Sequence, residues 1–268
     1  MIPAPVRYAR ATSLEHAFQL LAEPDSKILA GGQSLIPVMK LRIARPSLVV
    51  DISQLELRGI DVRGDELHVG ALTTWDELLD ARELERPALA AIGECVRGIG
   101  DLQVRNRGTV GGSLAHADPA SDMPAVLLAL GATLQLRSPE GERDLRVAEF
   151  FAGPFTTALS AQELITHIVV PLPAPGSGSA YVSVEHPASG FALAGAAALV
   201  GRDGVSRVAV TGVAGQPSLL VSGDPHEALE AAEIFGDRFA SAEYRRELAS
   251  VLVRRAVERA AERTKGDA

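Results

Sequence analysis

Two pairs of adjacent glycines are the part of this sequence best suited to binding a ligand through the main chain. The first pair, Gly31 and Gly32, follows an apolar strand predicted over 27–30, and it precedes Ser34 and a helix predicted over 36–43. Such a strand–loop–helix corner directs backbone N–H groups to one point, where the positive end of the helix dipole adds to them. Because glycine has no Cβ, a ligand can approach the main chain closely. A phosphate or pyrophosphate is the ligand that fits this corner best.

A second corner of similar type lies further along the chain. It contains Thr109, the pair Gly111 and Gly112, and Ser113. Neither corner has the Gly-Lys-Ser/Thr ending of a P-loop or the Gly-x-Gly-x-x-Gly dinucleotide fingerprint. A tight turn would explain one glycine pair equally well, but two pairs with neighbouring hydroxyl groups favour a phosphate site. We therefore predict that the two loops bind one anionic cofactor between two lobes.

Polar residues after the second corner could contact the same cofactor. Asp122 precedes a helix predicted over 125–130, so it could cap that helix, accept hydrogen bonds from ribose or ribityl hydroxyl groups, or do both. His116 could contact the cofactor or lie on the surface, whereas Asp118, which precedes a proline, is more typical of a turn. No nucleophile, base and orienting residue can be grouped by spacing. Catalysis by this chain would therefore depend on a bound cofactor.

The composition excludes several classes of protein and of site. The chain has 268 residues, 47% of them hydrophobic and 22% charged, with a net charge of -8 and no dense run of Lys and Arg. A nucleic-acid partner is therefore not expected. Cys95 is the only cysteine, which excludes an internal disulfide, a cysteine zinc site and an iron–sulfur cluster ligated within this chain. No apolar run reaches membrane-spanning length and no signal peptide is recognisable, so we predict a cytoplasmic protein without membrane insertion.

Turn signals and changes of pattern divide the chain into three parts. Residues 1–52 contain a strand, a crossover and a second, buried strand, an order that predicts parallel pairing. Residues 53–175 form a longer unit of helices and strands, which ends in a connector over 171–179 that is rich in proline, glycine and serine. Residues 176–268 contain an antiparallel sheet backed by helices. We predict these three parts as an N-terminal lobe, a middle lobe and a C-terminal domain.

The individual elements follow from periodicity and from capping signals. Thr12 with Glu15, and Thr74 with Glu77, fit capping boxes at the starts of two helices. Further predicted helices cover 87–96, 225–235 and 242–263, and predicted strands cover 47–52, 66–70, 132–137, 163–170, 180–184, 191–200 and 205–212.

The two glycine corners lie within longer motifs that resemble those of a known family. Segment 30–40, AGGQSLIPVMK, and segment 99–119, IGDLQVRNRGTVGGSLAHADP, resemble the two flavin-binding motifs of the medium, FAD-carrying subunits of molybdenum hydroxylases. Shorter stretches at 121–125, 150–153 and 163–165 also fit. The family includes the medium subunit of aerobic carbon monoxide dehydrogenase and the FAD-binding subunit of bacterial xanthine dehydrogenase. The resemblance covers nearly the whole chain.

This resemblance implies a fold and a cofactor. The fold would be α+β, with two α/β lobes of an FAD-binding fold like that of vanillyl-alcohol oxidase (the PCMH type), followed by a C-terminal antiparallel sheet with helices. FAD would lie between the lobes with its pyrophosphate between the glycine loops, Asp122 would contact the polyol or the ring, and Ile99 and Ile165 would lie against the cofactor. The FAD-binding residues expected from loops and resemblance together are Ala30, Gly31, Gly32, Gln33, Ser34, Leu35, Ile99, Thr109, Gly111, Gly112, Ser113, His116, Asp122 and Ile165.

The resemblance also implies partners and a reaction. Family members assemble with a large molybdopterin subunit, where substrate is hydroxylated, and with a small subunit that carries 2Fe–2S clusters, and a dimer of heterotrimers is expected. Electrons would pass from the iron–sulfur subunit to FAD, and then to NAD, a quinone, another carrier or oxygen. The chain would be the flavoprotein subunit of an oxidoreductase. Two alternatives stay open, namely a stand-alone FAD oxidoreductase and a non-catalytic assembly factor with the same fold.

One segment departs from the family pattern. Many members have a lysine after an aromatic residue here, followed by an arginine and an aspartate, and all three are missing from segment 181–192, YVSVEHPASGFA. His186 is the residue that could substitute as a polar contact. Because a nearby cation favours the anionic reduced flavin, the departure leaves the electron acceptor open.

Overall fold

Three larger β-sheets follow one another along the described residues, 2–220 and 225–265, of the computed structural model, and a fourth sheet has two short strands, 151–153 and 156–157. The strands are β1 Arg7–Arg10, β2 Ser26–Leu29, β3 Leu48–Asp51, β4 Ile60–Arg63, β5 Glu66–Gly70, β6 Thr133–Ser138, β7 Gly141–Arg146, β8 Phe151–Gly153, β9 Thr156–Thr157, β10 Leu164–Pro171, β11 Gly178–Glu185, β12 Ala192–Gly201, β13 Gly204–Thr211 and β14 Ser218–Leu220. The helices are α1 Leu14–Leu21, α2 Leu35–Lys40, α3 Trp75–Leu79, α4 Ala90–Gly98, α5 Leu102–Arg105, α6 Val110–His116, α7 Met123–Leu130, α8 Val147–Phe150, α9 Pro225–Ala231 and α10 Ala242–Arg263. Within the described residues, no helix is both long and apolar enough to cross a membrane.

The first sheet has the order β1-β3-β2, and both pairs are parallel, as predicted for β2 and β3. All four residues of β3 are buried, because neighbouring strands and α1 cover it. The capping box predicted at Thr12 is wrong. Ser13 is the N-cap of α1, since its hydroxyl accepts the N–H of His16 at 3.1 Å.

The second sheet is antiparallel and has the order β4-β5-β10-β6-β7. One of its faces contacts α7, which is buried along its whole length and lies at the centre of the main hydrophobic core. The capping box predicted at Thr74 is confirmed: the Thr74 hydroxyl accepts the N–H of Glu77, and the Glu77 carboxylate accepts the N–H of Thr74. Strand β7 was not predicted, because its residues are mostly exposed and charged.

The third sheet is antiparallel, with the order β11-β12-β13-β14. Strand β12 is rich in alanine, and its small side chains alternate between two cores. Ala196 and Ala198 contact the core beneath α10, while Ala197 and Leu199 belong to the main core shared with the second sheet. The predicted α+β class is therefore confirmed. The division at residue 175 stays a prediction about chain segments, because the main hydrophobic core includes residues from both sides of it.

The connector between the second and third sheets is shorter than predicted. Strand β10 ends at Pro171, and β11 begins at Gly178. Gly178 and Ser179 therefore belong to a strand, not to a loop. The reason is their buried position against α4, where the Ser179 hydroxyl accepts the N–H of Ala91 at 3.0 Å.

The first glycine loop packs directly against the backbone that leads into the second. A Cβ added at Gly31 would overlap the carbonyl oxygen of Arg107 and lie 2.8 Å from its carbonyl carbon. On the other side of this segment, the N–H of Trp75 donates to the carbonyl of Gly108 at 3.1 Å. The segment 107–108 is thus enclosed between the first loop and the start of α3.

We expect Gly31→Ala to destabilise the protein by about 1–3 kcal/mol, because the methyl group has no space beside a backbone carbonyl. Gly93→Ala is the matched control: a Cβ at Gly93 would approach only the Arg97 guanidinium, at 3.7 Å or more. Alanine within α4 should raise the free energy of unfolding by up to about 1 kcal/mol. Urea denaturation followed by the fluorescence of Trp75 compares the two variants, and equal midpoints would contradict this account of Gly31.

Candidate functional site

The first glycine loop has unsatisfied backbone donors. The N–H groups of residues 31–34 have no acceptor in the described part of the chain. Gly32 has a φ of +78°, a conformation that L side chains rarely adopt, and it turns the chain between β2 and α2. The Ser34 hydroxyl makes no capping hydrogen bond to α2. Successive free N–H groups in a loop with a positive φ form a concave site suited to an anion.

The second glycine loop is built differently. The N–H groups of residues 110–113 all donate to acceptors within the protein, at 2.9–3.2 Å. Two of these acceptors belong to Thr109, the N-cap of α6, whose own N–H has no acceptor among the described residues. The prediction that both loops direct a row of free N–H groups at a ligand is therefore wrong for the second loop. Packing requires a glycine in this loop, because a Cβ at Gly111 would lie 2.6 Å from the Ala71 side chain.

The two loops nevertheless face one cleft. Ala30, Gly31 and Thr109 line it together, and a Cβ at Gly112 would lie 3.6 Å from that of Ala30. Arg58 and Arg107 also line this cleft and bring positive charge to it. Four of the residues predicted from sequence are thus close together in space. Gln33 is exposed beside them, and Leu35 is half-buried at the start of α2.

Asp122 does not cap α7. It occupies the N-cap position, but its side chain makes no capping hydrogen bond and instead accepts one from the Tyr181 hydroxyl. The side chain is 8% exposed. Burial raises the pKa of Asp122 to about 6, and the charge of Glu185 acts in the same direction, whereas the Tyr181 hydrogen bond opposes both. The cofactor-contact interpretation of Asp122 stays a prediction, and the capping interpretation is wrong because Tyr181 takes the carboxylate.

The segment between α6 and α7 joins Asp122 to the second loop. The Ser113 hydroxyl lies 3.2 Å from that of Ser121, the residue before Asp122. Asp118 forms the predicted turn, with its carboxylate accepting the N–H of Ala120 at 2.9 Å. Ser113 and Asp122 therefore belong to one continuous hydrogen-bonded segment.

The remaining predicted residues are His116, Ile99 and Ile165. His116 is half-buried at the end of α6, with its ring centroid 5.3 Å from that of Phe155. Ile99 is half-buried after α4, and Ile165 is buried in β10 within the main core. Their predicted contact with a cofactor stays a prediction.

Two residues of this region were not predicted from sequence. Tyr181 is 59 positions from Asp122, and no local pattern connects the two. Arg105 lies inside the second motif, where its guanidinium donates to the carbonyls of Ile99 and Gly100 at 3.2 and 2.9 Å, and its Nε is buried without a partner in the described residues. The motif itself could have indicated Arg105.

The interpretation of His186 as a substitute polar contact to the cofactor stays a prediction. The His186 ring packs on Phe239, with centroids 4.3 Å apart, and its Nδ1 accepts the N–H of Ala188 at 3.2 Å. The residues of this segment that interact with Asp122 are Tyr181, which donates its hydroxyl, and the acidic Glu185.

Comparison with known proteins gives one consistent result. The family model described as FAD binding domain in molybdopterin dehydrogenase matches residues 4–173. The glyceraldehyde dehydrogenase medium chain of Sulfolobus acidocaldarius is 42% identical over 199 residues, which are 74% of this chain and 70% of the relative. The carbon monoxide dehydrogenase medium chain of Hydrogenophaga pseudoflava is 35% identical, with 96% of this chain and 97% of the relative covered. A solved structure of that dehydrogenase, which lacks the Mo-pyranopterin moiety of its molybdenum cofactor, matches with a TM-score of 0.93 at 35% identity, over 98% of this chain and 99% of the other.

The raised pKa of Asp122 predicts a pH-dependent effect of Asp122→Asn on stability. The folded protein binds this proton more tightly than the unfolded chain does, so the ionised carboxylate lowers stability at pH values above about 6 and not below about 4. The change from 3.8 to about 6 corresponds to roughly 2–3 kcal/mol. Between about pH 4 and pH 7, the unfolding free energy of Asp122→Asn should therefore rise by this amount relative to that of the wild type.

Glu163→Gln is the control with the opposite sign. The Arg143 guanidinium, at 2.7 and 2.8 Å, lowers the pKa of the Glu163 carboxyl, so that this ion pair stabilises the protein at neutral pH and is lost in acid. Its removal should therefore cost more at pH 7 than at pH 4. Urea denaturation of the FAD-free proteins across this range measures both effects. Parallel profiles for Asp122→Asn and the wild type would refute the role assigned to burial.

Proposed function

The chain belongs to the family of FAD binding domains in molybdopterin dehydrogenases, and from this premise we propose that it passes electrons from an iron–sulfur partner, through FAD, to an external acceptor. It is the FAD-binding subunit of an oxidoreductase of the molybdenum hydroxylase type. FAD supplies the redox chemistry when it is bound. The residues of this chain bind the cofactor, orient it and exclude water from it.

The observation that supports this function best is the row of free N–H groups at residues 31–34. A pyrophosphate carries oxygen atoms that accept hydrogen bonds from such donors, and the glycines leave space for it. We assign these four N–H groups and that of Thr109 to the pyrophosphate. Arg58 and Arg107, at the same cleft, favour a negatively charged ligand.

Asp122 and Tyr181 form the second part of the proposed site. The Tyr181 hydroxyl keeps its proton, because burial raises the pKa of Tyr181 well above its ordinary value. It therefore donates to Asp122 and holds this carboxylate in one orientation. The free oxygen of Asp122 would accept a hydrogen bond from a hydroxyl or ring N–H of the cofactor. His116, Ile99 and Ile165 complete the site in this proposal, with Gln33, Leu35 and the glycines at 111 and 112.

The partners are inferred from the relatives. Those that match over most of the chain are medium or FAD-carrying subunits of multi-subunit enzymes. We propose a large molybdopterin subunit and a small subunit with 2Fe–2S clusters, assembled as a dimer of heterotrimers in the cytoplasm. Cys95 is buried and is the only cysteine, so the clusters would be ligated by the partner.

Two rival functions differ from this one in what they require of the glycine loop. A non-catalytic assembly factor has no need for the free N–H groups at residues 31–34. A stand-alone oxidoreductase would turn over an organic substrate without partner subunits. Purification of the protein, release of its cofactor by heat and assay of the isolated chain separate these functions, and we expect FAD at close to one per chain and no substrate turnover.

We expect Gly32→Arg to lower the affinity for FAD by about tenfold or more, because a Cβ there would lie 2.9 Å from Ile36 and 3.1 Å from Leu29 and would displace the loop that carries the free N–H groups. Gly64→Arg is the matched control. Gly64 also has a positive φ, +59°, but it lies in the turn between β4 and β5 with nothing within 4 Å of an added Cβ. Both variants carry a similar backbone strain of about 1–2 kcal/mol. Fluorescence titration with FAD measures the difference, and equal affinities for the two variants would contradict the assignment of the first loop.

A further inference from the structure

A second cleft lies between α4, β11 and α10. Its volume is about 390 Å³, which is within the size range of small-molecule sites. Helix α4 contributes Glu94 and Arg97, α10 contributes Arg255 and Arg259, and β11 contributes residues 181–183. None of these positions belongs to the two glycine loops.

The only carboxylate of this cleft is already neutralised. Glu94 accepts hydrogen bonds from Arg263 at 2.5 and 3.2 Å, from Arg259 at 3.3 Å and from the N–H of Tyr181 at 2.8 Å. Burial opposes the ionisation of Glu94, but the bonds from Arg263 and Tyr181 outweigh it and lower the pKa of this carboxyl below its usual value. Glu94 is therefore an anion with its charge balanced within the protein.

The remaining positive charge of the cleft has no such balance. Arg97 on α4 and Arg255 on α10 are exposed and both line the cleft, and neither has an ion pair or a side-chain hydrogen bond in the described part of the chain. A guanidinium presents a planar fork of N–H donors that matches the oxygens of a carboxylate or a phosphate. Two such forks at one concave site favour an anion with several oxygens.

The other walls of the cleft limit the kind of anion. Leu252 and Val182 provide apolar surface, and Ser183 adds a hydroxyl group. An inorganic ion would leave this apolar surface in contact with water, whereas an organic anion would cover it. The lining thus combines an oxyanion site with a small apolar surface.

We propose that this cleft binds a small organic molecule that carries phosphate or carboxylate groups, with Arg97 and Arg255 as the residues that recognise them. The site is separate from the FAD cleft, and the proposal does not depend on FAD binding. It does share one residue with the proposed FAD site, because Tyr181 lines this cleft and donates its hydroxyl to Asp122.

The test uses two probes, pyrophosphate and citrate, which present phosphate and carboxylate oxygens separately. Each is titrated calorimetrically into the full chain with FAD added in excess, so that the first glycine loop is occupied. Ionic strength is kept constant, because exposed charges are screened by salt. The variants are Arg97→Ala/Arg255→Ala and the control Arg82→Ala/Arg254→Ala, which removes two exposed arginines outside the cleft and changes the net charge equally.

We expect saturable binding of at least one probe to the wild type and to the control, and binding about tenfold weaker or more in Arg97→Ala/Arg255→Ala. Which probe binds identifies the headgroup chemistry. Absence of binding of both probes to the wild type up to about 10 mM would overturn the proposal. Equal affinity in all three proteins would overturn it as well, because the anion would then bind elsewhere. FAD content and circular dichroism of each variant establish that the fold is unchanged.

Discussion

The contact between Gly31 and the backbone of Arg107 is the constraint on which the candidate site depends. Because glycine has no side chain, two segments that are about 76 positions apart in the chain can pack with their backbones in contact. The carbonyls of Gly32 and Ser34 accept the first hydrogen bonds of α2, whereas the N–H groups of residues 31–34 are left free. Gln33 is exposed, but the other three residues are half-buried, and donors left unpaired there cost free energy. A ligand that accepts these hydrogen bonds removes the cost, so the packing of the lobes and the binding of an anion support each other.

The two glycine loops are alike in sequence, but their glycines are needed for different structural reasons. In the first loop, Gly32 has a positive φ and the N–H groups face the cleft. In the second, the hydroxyl and carbonyl of Thr109 satisfy the start of α6, and the absence of a Cβ at Gly111 admits Ala71. Glycine is needed in one case because of the ligand and in the other because of the neighbouring strand and turn. The second loop is therefore mainly a hydrogen-bonded, packed segment that forms the opposite side of the cleft from the first loop.

The parts of the fold that could be predicted from sequence are those in which local pattern and burial agree. Strand β3 is apolar and buried, and the capping box at Thr74 uses residues three positions apart, so both could be read directly. The assignment at Thr12 was wrong because Thr12 and Ser13 are both good N-caps, and only the path of the chain decides between them. Strand β7 was missed because an exposed, charged edge strand carries no apolar alternation. The pairing of Asp122 with Tyr181 could not be predicted, since it depends on the third sheet folding back over the start of α7.

The hydrogen bond between Tyr181 and Asp122 also bears on segment 181–192, which departs from the family pattern. The groups around Asp122 in this chain are Tyr181, Cys95 and Glu185, all of which become negative on ionisation. Burial raises the pKa of the Cys95 thiol, and the charge of Asp122 acts in the same direction. The charge of Glu185 opposes ionisation of Asp122, and the charge of Asp122 opposes ionisation of Tyr181 and Cys95, so these groups resist additional negative charge. The same groups would repel the negative charge of a flavin that gains electrons next to Asp122, and uptake of a proton by the flavin would remove this repulsion. In the proposed arrangement, the acidic groups around Asp122 would therefore favour reduction of the flavin coupled to protonation over reduction to an anion.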